Sequence, residues 1–397
     1  MANEMLSRRM EQVHYNPIRA LLNKGIGDAI PLIAGYPAVE AYEMDVLKEI
    51  AVETIEKYGH LCFAYGNTPG LNSLKQSIVD HYLSYRGMPD ASIENMIIVT
   101  GSTQCFDMTS KVLLTPGDTV LVENPTFVGA MSAFSMCEPN IVGVDSDDIG
   151  MNLEDLEAKI IQYHPKFVYV IPTFGNPSGK TLPTERREKI AQLAAKYNVY
   201  ILEDDPYGDI RFSGERLKPI KAYDVGDRVI YIQSFSKNFV PGLRTAFAVV
   251  PKDLYASMVF AKQTTDIMTP SFCQYFLQSY LDKDLLWPNI LRLSAFYKTR
   301  WDTCKEALDK YLPKSVKYVD TQGGYFTWLT LPDGVDTEEL YYKCMEEENI
   351  AFNPGYGFYV NEECKNNMRL CFSACTEEEL RDGVKRLGLF LQRHLPK

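Results

Sequence analysis

Residues 228–244 read RVIYIQSFSKNFVPGLR. The run from Arg228 to Ile232 is apolar and β-branched, the pattern of a strand buried on both faces. Lys237 stands just past its end in Ser234-Phe235-Ser236-Lys237, and Arg244 follows in Pro241-Gly242-Leu243-Arg244. A lysine so placed is partly desolvated, which disfavours the ammonium form and makes the amine a nucleophile toward an aldehyde. The hydroxyls of Ser234 and Ser236 before it, and the Arg244 guanidinium after it, make a dianion pocket beside that amine. Taken alone, a Ser-x-Ser-Lys is more often a solvated lysine in a polar loop, so the neighbouring sequence has to decide.

Outward from this stretch, Met96–Thr100, Thr119–Glu123, Ile141–Asp145, Phe167–Thr173, Val199–Glu203 and Thr245–Val250 read as further strands. With Arg228–Gln233 they make seven. Helical patterns at Phe106–Leu114, Leu153–Tyr163 and Glu185–Tyr197 lie between several of them; Pro116-Gly117 stops the first and Thr184 is the expected N-cap of the third. Strand–helix alternation implies an α/β fold, a mostly parallel sheet flanked by helices. From Pro288 onward the pattern changes. A long helix at Ile290–Leu312 precedes an apolar stretch at Gly323–Leu331, a helix near Thr337–Glu348, a strand near Met368–Ser373 and a helix near Glu377–His394, which together read as a smaller α+β domain. The first 45 residues hold a short helix at Pro17–Asn23 and then an extended stretch.

A chain of 397 residues, 46% hydrophobic, is too long for one simple core. Its net charge of −11 and scattered basic residues leave no footprint for nucleic acid. Nine cysteines at this length make no disulfide scaffold, and none has metal-site spacing. With no apolar signal core after Arg8 and Arg9, and no long apolar span, the expectation is a cytoplasmic enzyme that neither enters nor crosses a membrane.

Chemistry-bearing residues recur at the ends of these strands. Gly101-Ser102-Thr103-Gln104 follows a strand and opens a helix, where free N–H groups favour phosphate. Asp204, in Glu203-Asp204-Asp205-Pro206-Tyr207, is placed to pair with a protonated ring nitrogen and keep a pyridine ring electron-accepting; the spacing to Tyr207 selects it over Asp205. Asn176, in Gly175-Asn176-Pro177-Ser178-Gly179, can donate to a phenolate, and Phe127 can cover a ring. Arg369 can clamp a carboxylate. Singly, these are ordinary turns, caps, core aromatics and surface arginines. Jointly, at strand ends where α/β sheets bind ligands, they fit an aldehyde that carries a phosphate, namely pyridoxal phosphate.

Together these residues resemble the class I/II aminotransferases, fold-type I pyridoxal-phosphate enzymes, and are most similar to the subgroup of 2-aminoadipate and kynurenine-type aminotransferases. The supporting stretches are Phe63-Ala64-Tyr65, Glu123-Asn124-Pro125-Thr126-Phe127, Asn176-Pro177-Ser178-Gly179, Ser234-Phe235-Ser236-Lys237, Gly323-Gly324-Tyr325-Phe326 and Arg369-Leu370-Cys371-Phe372-Ser373. The resemblance implies that residues 46–287 form the cofactor domain, and that residues 1–45 join residues 288–397 in the small domain. Lys237 would hold the cofactor as a Schiff base and then move the proton. Asp204 would pair with the ring nitrogen, with Tyr207 and Asn176 on the ring oxygen. Ser102, Thr103, Ser234, Ser236 and Arg244 would hold the phosphate. Tyr65 would reach the phosphate of a second subunit, which implies a homodimer with shared sites. Arg369 with Asn176 would grip the substrate α-carboxylate, and Gly35 would lie against the substrate. Arg19, in a stretch resembling a mobile N-terminal helix, would bind a side-chain carboxylate. Tyr325 stands where the subgroup often has methionine and is expected to narrow the substrate pocket.

The leading expectation is therefore transfer of an amino group from an aromatic, aliphatic or 2-aminoadipate-like L-amino acid to a 2-oxo acid such as 2-oxoglutarate. A β-lyase or other carbanion chemistry uses the same constellation. Ligand-sensing transcription regulators carry this domain behind a helix-turn-helix module; here the pattern starts near residue 15 and the charge is wrong for DNA.

Overall fold

The computed structural model describes residues 5–11, 25–88, 91–360 and 364–396; the helix expected at Pro17–Asn23, and Arg19 with it, lies outside them. The seven expected strands all form: β1 (Met96–Val99), β2 (Thr119–Asn124), β3 (Asn140–Asp147), β5 (Phe167–Val170), β6 (Tyr200–Asp204), β7 (Val229–Ser234) and β8 (Ala246–Val249). An eighth, β4 (Gly150–Met151), folds back on β3 and is too short to leave a periodic signal. The order is β1-β8-β7-β6-β5-β2-β3-β4. β7, β6, β5, β2 and β3 pair in parallel, whereas β8 runs against both β7 and β1.

Both faces of this sheet are covered, which is why its strands lack polar alternation. Along β5, Phe167 and Tyr169 enter one core with Phe106 and Phe134, while Val168 and Val170 enter another with Leu156 and Ile190. Flanking helices run from Ser102 to Leu113, Leu153 to Tyr163 and Thr184 to Tyr197. The first begins earlier than its apolar pattern, directly after Gly101, whose φ of 78° suits the turn. Thr184 is not the N-cap of the third: Pro183 takes that position and no side chain caps the helix.

A second sheet, β11 (Asn353–Pro354), β12 (Asn367–Cys371), β10 (Phe326–Thr330) and β9 (Lys317–Tyr318), is antiparallel throughout. Its core takes Trp301 and Leu308 from the long helix and Leu380 and Leu387 from the C-terminal helix, and also Ala29, Leu32 and Ile33 from the N-terminal stretch. Ile30 bridges Ile350, and the Cys371 N–H donates to the Leu32 carbonyl. The long helix spans Leu286–Tyr311, starting before Pro288 because a proline in the first turn removes no helical hydrogen bond. Among the described residues, no helix is long and apolar enough to cross a membrane.

Candidate active site

Parallel strands deliver their C-terminal ends to one edge, and β5, β6 and β7 there surround a cavity of about 290 Å³. Its wall carries most of the residues singled out in the sequence: Lys237, Asp204, Tyr207, Asn176, Arg369, Ser102, Thr103, Ser234, Ser236, Arg244, Phe127 and Gly35.

Lys237 Nζ donates to the Gly35 carbonyl at 2.8 Å, so the N-terminal stretch lies directly over the amine. Burial, helped by the nearby Arg369 and Arg244, lowers the lysine to about 8. Asp204 closes β6. Its Oδ2 accepts from the Tyr169 hydroxyl at 3.0 Å, while buried Oδ1 has no partner among the described residues. Burial pushes this carboxyl up to about 7; the Tyr169 bond opposes the shift and the neighbouring Asp205 adds to it. A cationic ring nitrogen against Oδ1 would favour the ionised form. Asp205 points the other way, into a buried ion pair with Arg86. The ring of Tyr207 lies edge-on to Phe326 at 5.3 Å, and burial raises its phenol.

The anion-holding groups meet at the opposite end. Ser234 Oγ donates to Ser236 Oγ at 3.0 Å, and Arg244 Nη1 donates to Ser236 Oγ at 3.2 Å. The Arg244 guanidinium fills the space a side chain would need at Gly101, which ties the two phosphate-type turns together. Ser102 Oγ is buried with no hydrogen-bond partner among the described residues, although it lies close to the Asp204 carboxyl, and Thr103 is exposed at the same helix start. Such orphaned donors and acceptors in a wall call for a ligand that satisfies them.

Arg369, on β12, is sandwiched between the rings of Phe326 (4.3 Å) and Phe358 (5.0 Å). Its Nη1 donates to Asn176 Oδ1 at 2.7 Å and its Nη2 to the Ile33 carbonyl at 3.3 Å; Nε has no partner among the described residues. A Cβ at Gly35 would come within 3.0 Å of the Phe326 ring, so glycine lets the N-terminal segment pass this close. Arg369→Met is expected to raise KM for the amino donor roughly tenfold to a hundredfold, the scale of one charged hydrogen-bonded contact. An unchanged KM in steady-state kinetics would rule out a carboxylate clamp here.

Two expectations need correction or extension. Tyr325 does not narrow the cavity: it is fully buried, packs on Tyr297 at 4.7 Å, and its hydroxyl supports the Lys237 carbonyl at 2.9 Å. Tyr65 is 87% exposed and takes no part in its own chain's cavity. Sequence reasoning missed Tyr169, Phe326 and Phe358. The first had a signal, a hydroxyl in an otherwise apolar strand, and in the sheet it pairs with Leu202, two residues before Asp204.

The donor set fits pyridoxal phosphate: a lysine of lowered basicity, a carboxylate with one free oxygen, an arginine-and-serine anion pocket, and aromatic faces between them. Residues 29–387 match the family described as aminotransferase class I and II. The chain belongs to that family. Aromatic-amino-acid aminotransferase 1 of Thermococcus litoralis is 36% identical over 93% of this chain and 89% of its own length. Among solved structures, Pyrococcus horikoshii kynurenine aminotransferase superposes with a TM-score of 0.94 at 35% identity, covering 99% of this chain and 98% of that one. The α-aminoadipate aminotransferase of Thermus thermophilus, complexed with N-(5'-phosphopyridoxyl)-L-leucine, gives 0.90 at 31% identity, covering 99% and 98%. This aminotransferase is thus a pyridoxal-phosphate-dependent enzyme of amino acids and 2-oxo acids, and the lyase alternative is not favoured.

Proposed function

We propose that the enzyme moves the amino group of an aromatic, aliphatic or 2-aminoadipate-like L-amino acid to a 2-oxo acid such as 2-oxoglutarate. The observation that carries this reading is Arg369, held by Asn176 with Nε free, in the same cavity as Lys237. A carboxylate gripped there presents its α-amino group toward the lysine end of the cavity. The named relatives act on aromatic amino acids, kynurenine and α-aminoadipate, which supports this donor range.

When bound, pyridoxal phosphate supplies an aldehyde that carries the amino group and a ring that accepts electrons. Ser102, Thr103, Ser234, Ser236 and Arg244 would hold its phosphate, Asp204 would keep its ring nitrogen protonated, Tyr207 and Asn176 would contact its ring oxygen, and Phe127 would pack against the ring. Lys237 Nζ would hold it between turnovers and, when free, would move the proton to and from the substrate α-carbon; an amine near 8 suits that task close to neutral pH. A donor screen tests the reading: each amino acid is mixed with the loaded enzyme, and loss of the absorbance of the lysine-bound cofactor is followed together with the oxo acid formed. Release of ammonia in place of the retained amine would overturn it. Arg19 is the proposed partner of a side-chain carboxylate, and Arg19→Ala in the same screen should weaken glutamate selectively.

The active unit is a homodimer whose sites exchange Tyr65. That tyrosine is exposed beside Leu61 and Phe63, which are 45% and 73% exposed, an apolar surface of the kind that marks an interface. Tyr65→Ala and Lys237→Ala proteins, each impaired alone, should regain activity on subunit exchange, because about one site in four is then native. Failure to complement, with exchange verified, would reject shared sites. The division at residues 46–287 against both termini accords with residues 29–33 packing on the second sheet. Nine free thiols fit a reducing cytoplasm.

A further inference from the structure

The two carboxylates at the end of β6 serve different partners. Asp204 faces the cavity, whereas Asp205 is buried against Arg86. Arg86 also donates through Nη1 to Asp209 Oδ1 at 2.8 Å. Asp205 and Asp209 bracket Tyr207 in the chain, so one guanidinium pins both ends of the turn that carries Tyr207 and directly follows Asp204. The other oxygen of Asp209 accepts from the Tyr82 hydroxyl at 2.9 Å and from Asn238 Nδ2 at 2.6 Å. Asn238 is the residue after Lys237, and Asn289 on the long helix holds its carbonyl at 2.9 Å. Arg86, Asp205, Asp209 and Asn238 are all at most 5% exposed.

A buried ion cluster of this kind is poor evidence for stability, because apolar packing often holds a core as well. What charged, two-pronged hydrogen bonds supply is fixed direction. We propose that Arg86 is a positioning residue that sets Lys237 against Asp204 and Tyr207, acting through Asp205, Asp209 and Asn238. The proposal rests on the roles given above to Lys237 and Asp204. Among the described residues Arg86 hydrogen-bonds to Asp205 and Asp209, neither of which lines the cavity; its effect is on where the amine stands relative to the carboxylate. A displacement of about 1 Å between reacting groups costs on the order of a hundredfold in rate. Lysine at position 86 would keep the charge but offer one point donor where two divergent carboxylates need a fork.

The test compares Arg86→Lys with Asn238→Ala, which cuts the tether to the lysine turn and leaves the ion cluster in place. Both should lower kcat of the donor half-reaction roughly tenfold to a hundredfold. KM for the donor should stay within about twofold, since Arg369 and Asn176 are untouched. In cofactor-free protein, the pH midpoint for labelling the Lys237 amine should move by about half a unit or more. If Arg86→Lys fails to fold, Asn238→Ala alone decides. Variants that melt earlier but keep kcat and the labelling midpoint would make Arg86 a structural residue only and overturn the proposal. Lys237→Ala runs alongside: activity retained there sinks the underlying reading, whereas an inactive Lys237→Ala beside a normal Asn238→Ala sinks this inference alone.

Discussion

Lys237→Ala is expected to abolish amino transfer, by about 10⁴-fold or more, because the substitution removes both the covalent anchor and the proton carrier. The fold should survive. The amine's side-chain hydrogen bond goes to the Gly35 carbonyl, and its basicity is lowered to about 8 by burial, from the ordinary 10.5. The sign of that shift matters: a lysine whose folded value is lowered costs stability below its folded value and costs nothing above its unfolded one. At neutral pH the alanine variant therefore loses a buried cation, and its melting temperature should hold or rise. Single-turnover formation of oxo acid and a thermal melt check the two halves. Activity within tenfold of the unmodified enzyme would contradict the assignment.

Asp204→Asn is expected to cost roughly a thousandfold in the half-reaction, the scale of losing one charged contact in a dry site. The asparagine can still accept from Tyr169, so the β6 end keeps its place while the countercharge disappears. Asp205→Asn should behave differently. The sequence alone suggests a mild effect, but Asp205 is fully buried and paired with Arg86, so its loss leaves a buried cation half-compensated. A lower melting temperature with a smaller loss of rate than Asp204→Asn is the expected pattern. The reverse ranking in rate would refute the choice of Asp204.

The contrast between these two aspartates shows what was legible in the sequence. Strands buried on both faces are written as apolar runs, so the seven major strands and the residues at their ends could be found directly. Spacing within one turn separated Asp204 from Asp205. Nothing local could reveal Arg86, which lies 119 residues from Asp205 and reaches it only through the folded chain. Tyr325 failed for a related reason. A linear motif does not say which side of Gly323-Gly324 faces the cavity; both glycines press against Phe174, and the chain turns Tyr325 inward beneath Lys237. Phe326 and Phe358, which sandwich Arg369, come from separate parts of the C-terminal segment; Phe326 lies in a stretch that carries the resemblance but without an assigned role, and Phe358 carried no signal beyond being apolar. Arg19 lies outside the described residues, and its role rests on resemblance.

The most direct test of the central claim is reductive fixation. The protein loaded with pyridoxal phosphate is treated with borohydride, digested, and the modified peptide sequenced by mass spectrometry. One phosphopyridoxyl group per chain on the peptide containing Lys237 is the predicted result. Lys75 is the informative competitor: burial also lowers it to about 8, but it lines a separate cleft with none of the serine and arginine groups that surround Lys237. Stoichiometric modification of Lys75, or of any lysine other than Lys237, would contradict the account.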